Sequence, residues 1–232
     1  MSTIISVIIL ILSMLILAFL QLTPGTFTIF YHYALGKNSF KKASDLALSF
    51  ILGVEIFTAL VWSIIYILIF EFYKNSTDFC CSIFFWIMFG IFIVEALAIL
   101  VLYYRKGKNT KLFISRRVAD SLTTNAAKVR TRSDAFTLGF FSCLPELFFT
   151  IPLYIITTTI LLNTSVLPRS LFVILFIVSS TLPLFVILGI FCSGRNLADI
   201  QRFRLSSKSF FRFVLCACYL LIAMAILNLG AI

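Results

Sequence analysis

The chain has 232 residues, of which 61% are hydrophobic, and it carries a formal net charge of +10. Soluble globular domains are about 45–50% apolar. A fold of this length has too little interior to hide the excess, so the composition excludes a soluble protein. It indicates an integral membrane protein, in which lipid covers the apolar surface.

Six apolar segments are long enough to cross about 30 Å of hydrocarbon. In chain order they are Thr3–Leu22, Leu46–Phe70, Phe79–Tyr104, Ala135–Leu162, Leu171–Cys192 and Phe210–Leu229. The first segment has no Lys or Arg before it and is too long for a usual signal-peptide core. We therefore expect an all-α integral membrane protein with six transmembrane helices and no cleaved leader.

The basic residues are distributed unevenly between the two sides of the membrane. Only Lys74 and Arg169 lie on one side, whereas the other 17 Lys and Arg lie in or beside the loops after spans one, three and five. Cytoplasmic loops carry the positive excess, so both termini should lie outside a cell (inner) membrane. The basic loop could bind RNA or an anionic headgroup, but we interpret it as a topology signal and expect no nucleic-acid partner.

The long loop, residues 105–134, divides the chain into a first three-helix unit (residues 1–104) and a second (residues 135–232). An odd number of spans per unit makes the second unit enter the membrane from the opposite side. That arrangement predicts two inverted-topology repeats joined by a basic cytoplasmic linker.

Proline occurs near the first span of each unit, in the pairs Pro24-Gly25 and Pro145-Glu146. Proline removes a backbone donor and clashes with the preceding turn. Such breaks are tolerated in a membrane where protein or a water-filled cavity supplies new partners. One interpretation is a packing kink in ordinary helices. The other, favoured by the matching positions, is a pair of broken helices around a midplane substrate site. Pro183 has no counterpart, and we expect it only to kink its helix.

Near its start the chain resembles the LysE-type amino-acid exporter superfamily. The similar stretch begins at Leu20, includes Leu-Thr-Pro-Gly at Leu22–Gly25, and continues through Ala34–Lys37 to the small-residue helix Ala47–Glu55. In the second half, Ala135–Phe141 is similar to the aromatic-glycine stretch before the family's Asn-Pro-Lys signature, and Leu144-Pro145-Glu146 stands in place of that signature. The resemblance implies the inverted-repeat fold and a transport function.

Related thiol-redox carriers use one cysteine in each proline helix. Here Cys143 is suitably placed, but the first span has no cysteine. The six cysteines show no CxxC spacing, and His32 is the only histidine, which excludes a multi-His metal site. We expect no cofactor and no structural metal.

Three acidic residues, Glu55, Glu95 and Glu146, lie inside the predicted spans. A charge at the bilayer centre costs roughly 2.5–3.5 kcal/mol on insertion scales, so such residues are candidates for function. At about 1.5 Å per residue, all three reach a common midplane layer. They are either a cation or proton site or protonated side chains that hydrogen-bond a neighbouring helix. Among small residues, Gly53, Gly90 and Gly139 are candidates for close helix approach.

No phosphate loop, nucleophile elbow or paired catalytic carboxylate motif is present, so we do not expect an enzyme. The sequence favours a proton-coupled secondary transporter that exports a small solute, first of all an amino acid. The predicted substrate and coupling residues are Pro24, Gly25, Glu55, Glu95, Pro145 and Glu146. The alternatives are a small-cation exporter, a thiol-redox membrane carrier and a non-transporting membrane partner protein. The lipid bilayer is the expected partner, and the sequence is also compatible with a homodimer.

Overall fold

The computed structural model describes residues 3–20, 22–75, 78–101, 122, 124–163, 169–193 and 206–230. These residues are almost entirely helical and include no strand. The main helices are α1 Thr3–Phe19, α2 Leu22–Lys37, α3 Phe40–Asn75, α4 Asp78–Val101, α5 Arg132–Ser142, α6 Leu147–Asn163, α7 Arg169–Cys192 and α8 Lys208–Gly230. A 3₁₀ turn, Leu144–Glu146, joins α5 to α6.

Six helical stretches in the described part are long and apolar enough to cross a membrane. This confirms the predicted number of spans and identifies a multi-pass membrane protein. Four of the stretches are single helices. The first, Ile4–Gly36, combines α1 and α2, and the fourth, Arg132–Asn163, combines α5 and α6. The interrupted helices are therefore the two that carry the paired prolines.

Several predicted boundaries are wrong, because the helices continue beyond the apolar runs. The first stretch extends past Leu22 to the end of α2 at Lys37, and α3 begins at Phe40 rather than Leu46. Helix α3 also continues to Asn75, through most of the turn predicted before the third span. Lys, Glu and Ala are good helix formers, so loss of hydropathy does not end a helix. Residues 102–121, most of the predicted basic loop, lie outside the described part.

The two most extensive helix contacts are α3 with α5 and α4 with α8. In the first, an added Cβ at Gly139 would collide with the backbone carbonyl of Phe50, and one at Gly53 with that of Phe136. Glycine thus lets the two backbones touch, as predicted for both positions. The prediction for Gly90 is wrong, because an added Cβ there meets nothing within 4 Å.

Buried apolar side chains form two clusters that meet at the helix breaks. One cluster joins α1, α4, α6 and α8 with parts of α3 and α7, and it includes Tyr154 and Tyr219. The other joins α2, α3, α5 and α7 and includes Phe27 and Phe50. The rings of Phe27 and Phe50 lie 5.2 Å apart, centroid to centroid, and fasten α2 to α3. Each interrupted helix therefore contributes to both clusters, and its break lies between them.

Candidate functional site

The first break lies just before Pro24 rather than at it. Helix α1 ends at Phe19 and α2 begins at Leu22, which makes Pro24 the third residue of α2. The N–H groups of a first helical turn have no intrahelical partner, so proline costs no hydrogen bond there. The hydroxyl of Thr28 donates to the Pro24 carbonyl at 2.7 Å. Pro24 therefore starts the second half-helix cleanly instead of kinking a continuous one.

The second break is built around Pro145. Helix α5 ends at Ser142, and the chain then tightens into the 3₁₀ turn Leu144–Glu146. Pro145 has no N–H to give to the carbonyl of Phe141. The Cys143 N–H donates to that carbonyl instead. The hydroxyl of Ser142 donates to the Gly139 carbonyl at 2.7 Å, so local donors satisfy carbonyls that the break exposes inside the membrane.

The two breaks meet at one carboxylate. The Thr23 N–H donates to Glu146 Oε1 at 3.1 Å, and the Thr23 hydroxyl lies 2.7 Å from Glu146 Oε2. The same hydroxyl lies 3.3 Å from the Ser142 carbonyl oxygen. Because Thr23 is in the first turn of α2, the Glu146 carboxylate caps that helix and meets the positive end of its dipole. A residue of the second half therefore closes the broken helix of the first.

A small, partly open cavity lies beside this link, with a volume of about 30 Å³. Its walls come from α1, α2, α3, the α5–α6 break, α6 and α7. The lining residues are Leu17, Leu20, Thr23, Pro24, Val54, Phe57, Thr58, Cys143, Glu146, Thr150, Tyr154 and Ser180. Among the described residues, this lining includes one Glu, five residues that carry a hydroxyl group and one Cys, and no Lys, Arg or His. The site is thus polar, buried and negative when Glu146 is ionised.

The other predicted site residues lie at varying distances from this centre. Gly25 and Pro145 belong to the two break segments but not to the cavity lining. Glu55 is half-buried on α3 and accepts a hydrogen bond from the Thr181 hydroxyl of α7 at 3.4 Å. Thr181 follows the lining residue Ser180, so Glu55 is a neighbour of the cavity rather than part of its wall.

Glu95 does not line the cavity. It lies on α4, among residues of the apolar cluster that includes Tyr154 and Tyr219. Its side chain is only 2% exposed. Its Oε2 atom has no hydrogen-bond partner among the described residues. Glu95 therefore does not join Glu146 and Pro24 in one site, although all three lie in the predicted spans.

Cys143 is buried and belongs to the second break. Its sulfur lies 4.0 Å from the Thr23 hydroxyl and 3.6 Å from the Gly139 carbonyl oxygen. No other cysteine lines the cavity. Within the described residues there is also no group of three His, Cys, Asp or Glu side chains able to hold a metal ion.

The hydroxyl-bearing residues of the cavity wall were not predicted from the sequence. Thr150 and Tyr154 follow Glu146 at intervals of four, which places all three on one face of a helix. Thr58 follows Glu55 by three and Val54 by four. This spacing is visible in the sequence and could have nominated Thr150 and Tyr154. The contact between Thr23 and Glu146 spans 123 positions and has no local signal.

No protein-family model, no curated protein and no solved structure matches the chain. The functional interpretation therefore depends on the geometry of the site itself.

Proposed function

We propose that the protein is a secondary transporter that moves a small solute across the cell (inner) membrane by alternating access, with Glu146 as the coupling residue. One observation carries the proposal: the broken helices of both halves meet at this buried carboxylate, which caps α2 through Thr23. Irregular backbone inside a membrane is tolerated where it surrounds a functional cavity. Paired breaks at the midplane are the pattern expected of a transporter site.

Several helix contacts support the predicted inverted repeat, although those of α1 with α8, α2 with α3 and α4 with α6 have no comparable counterpart among the described residues. A two-fold axis in the membrane plane would exchange α1 with α5, α2 with α6, α3 with α7 and α4 with α8. The contact of α3 with α5 then corresponds to that of α7 with α1, and the contact of α3 with α6 to that of α7 with α2. The contact of α1 with α6 corresponds likewise to that of α5 with α2. The axis would pass through the α4–α8 and α3–α7 contacts, between the two breaks.

Protonation of Glu146 provides a coupling mechanism. The ionised carboxylate accepts charge-assisted hydrogen bonds from Thr23, which are about twice as strong as neutral ones. A proton removes the charge and weakens both the link and the interaction with the α2 dipole. The halves then separate at the breaks and rock around the cavity. With both termini outside, proton influx would drive export of the solute.

The resemblance to amino-acid exporters makes an amino acid the first substrate class to test. A second candidate, export of a small cation, is favoured by the cavity volume of about 30 Å³, which has room for roughly two waters at about 10–15 Å³ each. An amino acid would require the cavity to widen when the halves rock. An inorganic cation would fit the cavity as it stands.

The test is uptake of radiolabelled solutes into inverted membrane vesicles, which reports export. The panel contains amino acids and small inorganic cations, each with and without an imposed pH gradient. The variants are Glu146→Gln and, as a control, Glu71→Gln, an exposed carboxylate at the end of α3. We expect gradient-driven uptake in the wild type and the control, and its loss in Glu146→Gln. Uptake that persists in Glu146→Gln would contradict the role of this carboxylate.

The same assay separates the remaining alternatives. A thiol-redox carrier requires Cys143, so Cys143→Ala would abolish its activity, whereas the transporter proposal expects uptake to continue. A non-transporting partner protein would show no uptake of any panel member, and its activity would depend on the basic loop at residues 105–134.

A further inference from the structure

We infer that the cavity at the two helix breaks binds one desolvated monovalent cation of sodium-ion size, with Glu146 as its charged ligand, in competition with a proton. This inference rests on the proposed function and names the coupling ion of the same site. Four properties of the cavity support it: its charge, its donor atoms, its volume and the titratable groups that face Glu146.

The charge of the lining matches a single positive charge. Among the described residues of the wall, Glu146 is the only one with a carboxyl group and none is basic. An ionised Glu146 therefore leaves the cavity with a charge of about −1 in a low-dielectric setting, which attracts a cation. A divalent cation would leave an excess positive charge buried. An anion would add to the negative charge, so the lining excludes both by charge.

The donor atoms suit a hard cation. Besides Glu146, the described wall includes five residues that carry a hydroxyl group, namely Thr23, Thr58, Thr150, Tyr154 and Ser180. The Ser142 carbonyl oxygen lies 3.3 Å from the Thr23 hydroxyl. Carboxylate, carbonyl and hydroxyl oxygens favour hard ions, whereas transition metals prefer imidazole and thiolate. The one soft atom, the Cys143 sulfur, has no second cysteine or histidine beside it in the wall.

The volume selects a bare ion. About 30 Å³ holds roughly two waters, at about 10–15 Å³ of such space for each, so an ion that keeps its full hydration shell does not fit. Magnesium gives up its waters reluctantly, which is a second reason to exclude it. A sodium ion can exchange its waters for the hydroxyl and carboxylate oxygens of the wall.

A proton and a sodium ion exclude each other at this site, because Glu146 can neutralise only one of them. The other titratable groups that face Glu146 are the Cys143 thiol of its own turn region and the Tyr154 phenol of α6. A thiol and a phenol are ordinarily neutral near pH 7, since their pKa values in model compounds are about 8.5 and 10. Glu55 of α3 accepts a hydrogen bond from Thr181 instead. The charge of the site is therefore set by Glu146 alone.

The experiment measures thermal unfolding of the purified protein in detergent, in sodium, lithium, potassium or magnesium chloride against choline chloride at constant ionic strength. A cation that binds the folded state raises the midpoint in proportion to the logarithm of its concentration above saturation. We expect sodium to raise the unfolding midpoint. Once Glu146 is mainly protonated, the half-saturating sodium concentration should increase about tenfold for each unit by which the pH falls. Glu146→Gln should lose the sodium-dependent rise.

Two further variants keep the test decisive if Glu146→Gln does not fold. Thr58→Val deletes one wall hydroxyl at nearly constant volume and should raise the half-saturating concentration about tenfold, as loss of a hydrogen-bond-strength contact to an ion does. Thr158→Val is the matched control. Thr158 is fully buried on α6, outside the cavity wall, and the variant should respond to sodium like the wild type.

Midpoints that are the same in choline and sodium, or a larger rise with magnesium, overturn the inference. So does a sodium response that Thr58→Val leaves unchanged. Proton-driven uptake that needs Glu146, without any sodium response, would sink the inference and leave the transporter proposal standing. A sodium response that is lost in Glu146→Gln, together with no uptake of any solute, would support the inference and contradict the transporter proposal.

Discussion

The two largest helix contacts of the molecule are built in opposite ways. Helices α3 and α5 touch backbone to backbone at Gly53 and Gly139. Helices α4 and α8 meet through side chains that include Phe92 and Tyr219, whose ring centroids lie 5.7 Å apart. Each contact is associated with one buried glutamate, Glu146 directly after α5 and Glu95 on α4. The first glutamate lies at a helix break with donors around it, and the second lies in an unbroken apolar helix.

This difference shows that burial of a carboxylate in a membrane does not by itself mark the site. Glu95 is the more buried of the two, at 2% against 9% exposure. Only Glu146 has a cavity, a capped helix terminus and hydroxyl neighbours. The close approach of α3 and α5 brings Val54, Phe57 and Thr58 of α3 to the break after α5. The glycine contact therefore positions the site, whereas the α4–α8 contact holds the rest of the bundle together.

The largest effect on stability is expected from Gly139→Ala. The new methyl group would collide with the Phe50 carbonyl, and a backbone atom cannot rotate away as a side chain can. Overpacking of this kind costs typically 1–3 kcal/mol, and we expect about 3 kcal/mol from the rigid partner. Gly90→Ala on α4 is the control, since an added methyl group there meets open space and alanine favours the helix. Thermal unfolding in detergent measures both. Equal midpoints for the two variants would show that the α3–α5 contact can relax.

The next largest effect is expected from Glu146→Gln, and Glu95→Gln provides the comparison. Glu146→Gln puts an amide where Thr23 needs acceptors for both its N–H and its hydroxyl, and we expect a loss of about 2 kcal/mol. Glu95→Gln removes a carboxyl group whose Oε2 has no partner in the described part of the chain. We expect it to be neutral or slightly stabilising. Unfolding midpoints measured at one pH give the comparison, and a larger loss at Glu95 would reverse the assignment of roles.

Much of this comparison could be anticipated from the sequence. Hydropathy predicted the six spans, and the two proline pairs identified the two interrupted helices. Small residues predicted the contact at Gly53 and Gly139 but not the exposure of Gly90, because composition does not say which face of α4 meets a neighbour. The acidic residues were treated alike, since hydropathy places Glu55, Glu95 and Glu146 at similar depths.

What separates these glutamates is tertiary and has no local signal. The donors to Glu146 come from Thr23, which lies 123 positions earlier in the chain. Their contact requires the first residues of α2 to dock on the α5–α6 break. Helix boundaries were also misjudged, because α3 continues through charged residues at both ends where hydropathy falls.

A smaller effect is expected from the matched pair Thr23→Val and Thr158→Val. Thr23→Val keeps the N–H donor to Glu146 but removes the hydroxyl 2.7 Å from Oε2. Hydrogen bonds between membrane helices average about 0.6 kcal/mol and reach about 1.7 kcal/mol, so we expect about 1 kcal/mol with a charged acceptor. Thr158 has a buried hydroxyl without a partner among the described residues, and its loss should be neutral or stabilising. If both variants unfold at the same midpoint, the side-chain link between the breaks has no net strength.

The smallest effect is expected at the polar end of the α3–α5 contact, where Arg132 and Asp45 form an ion pair at 2.8 Å. Both side chains are well exposed, at 73% and 40%, and exposed pairs contribute at most about 1 kcal/mol because water and salt screen them. Asp45→Asn should therefore lower the unfolding midpoint only slightly at low salt, and by less at high salt. A loss as large as that of Gly139→Ala, and independent of salt, would mean that the charged end fixes the register of α3 against α5. Since the glycine contact already fixes that register through rigid backbone atoms, we expect the ion pair to follow the packing rather than direct it.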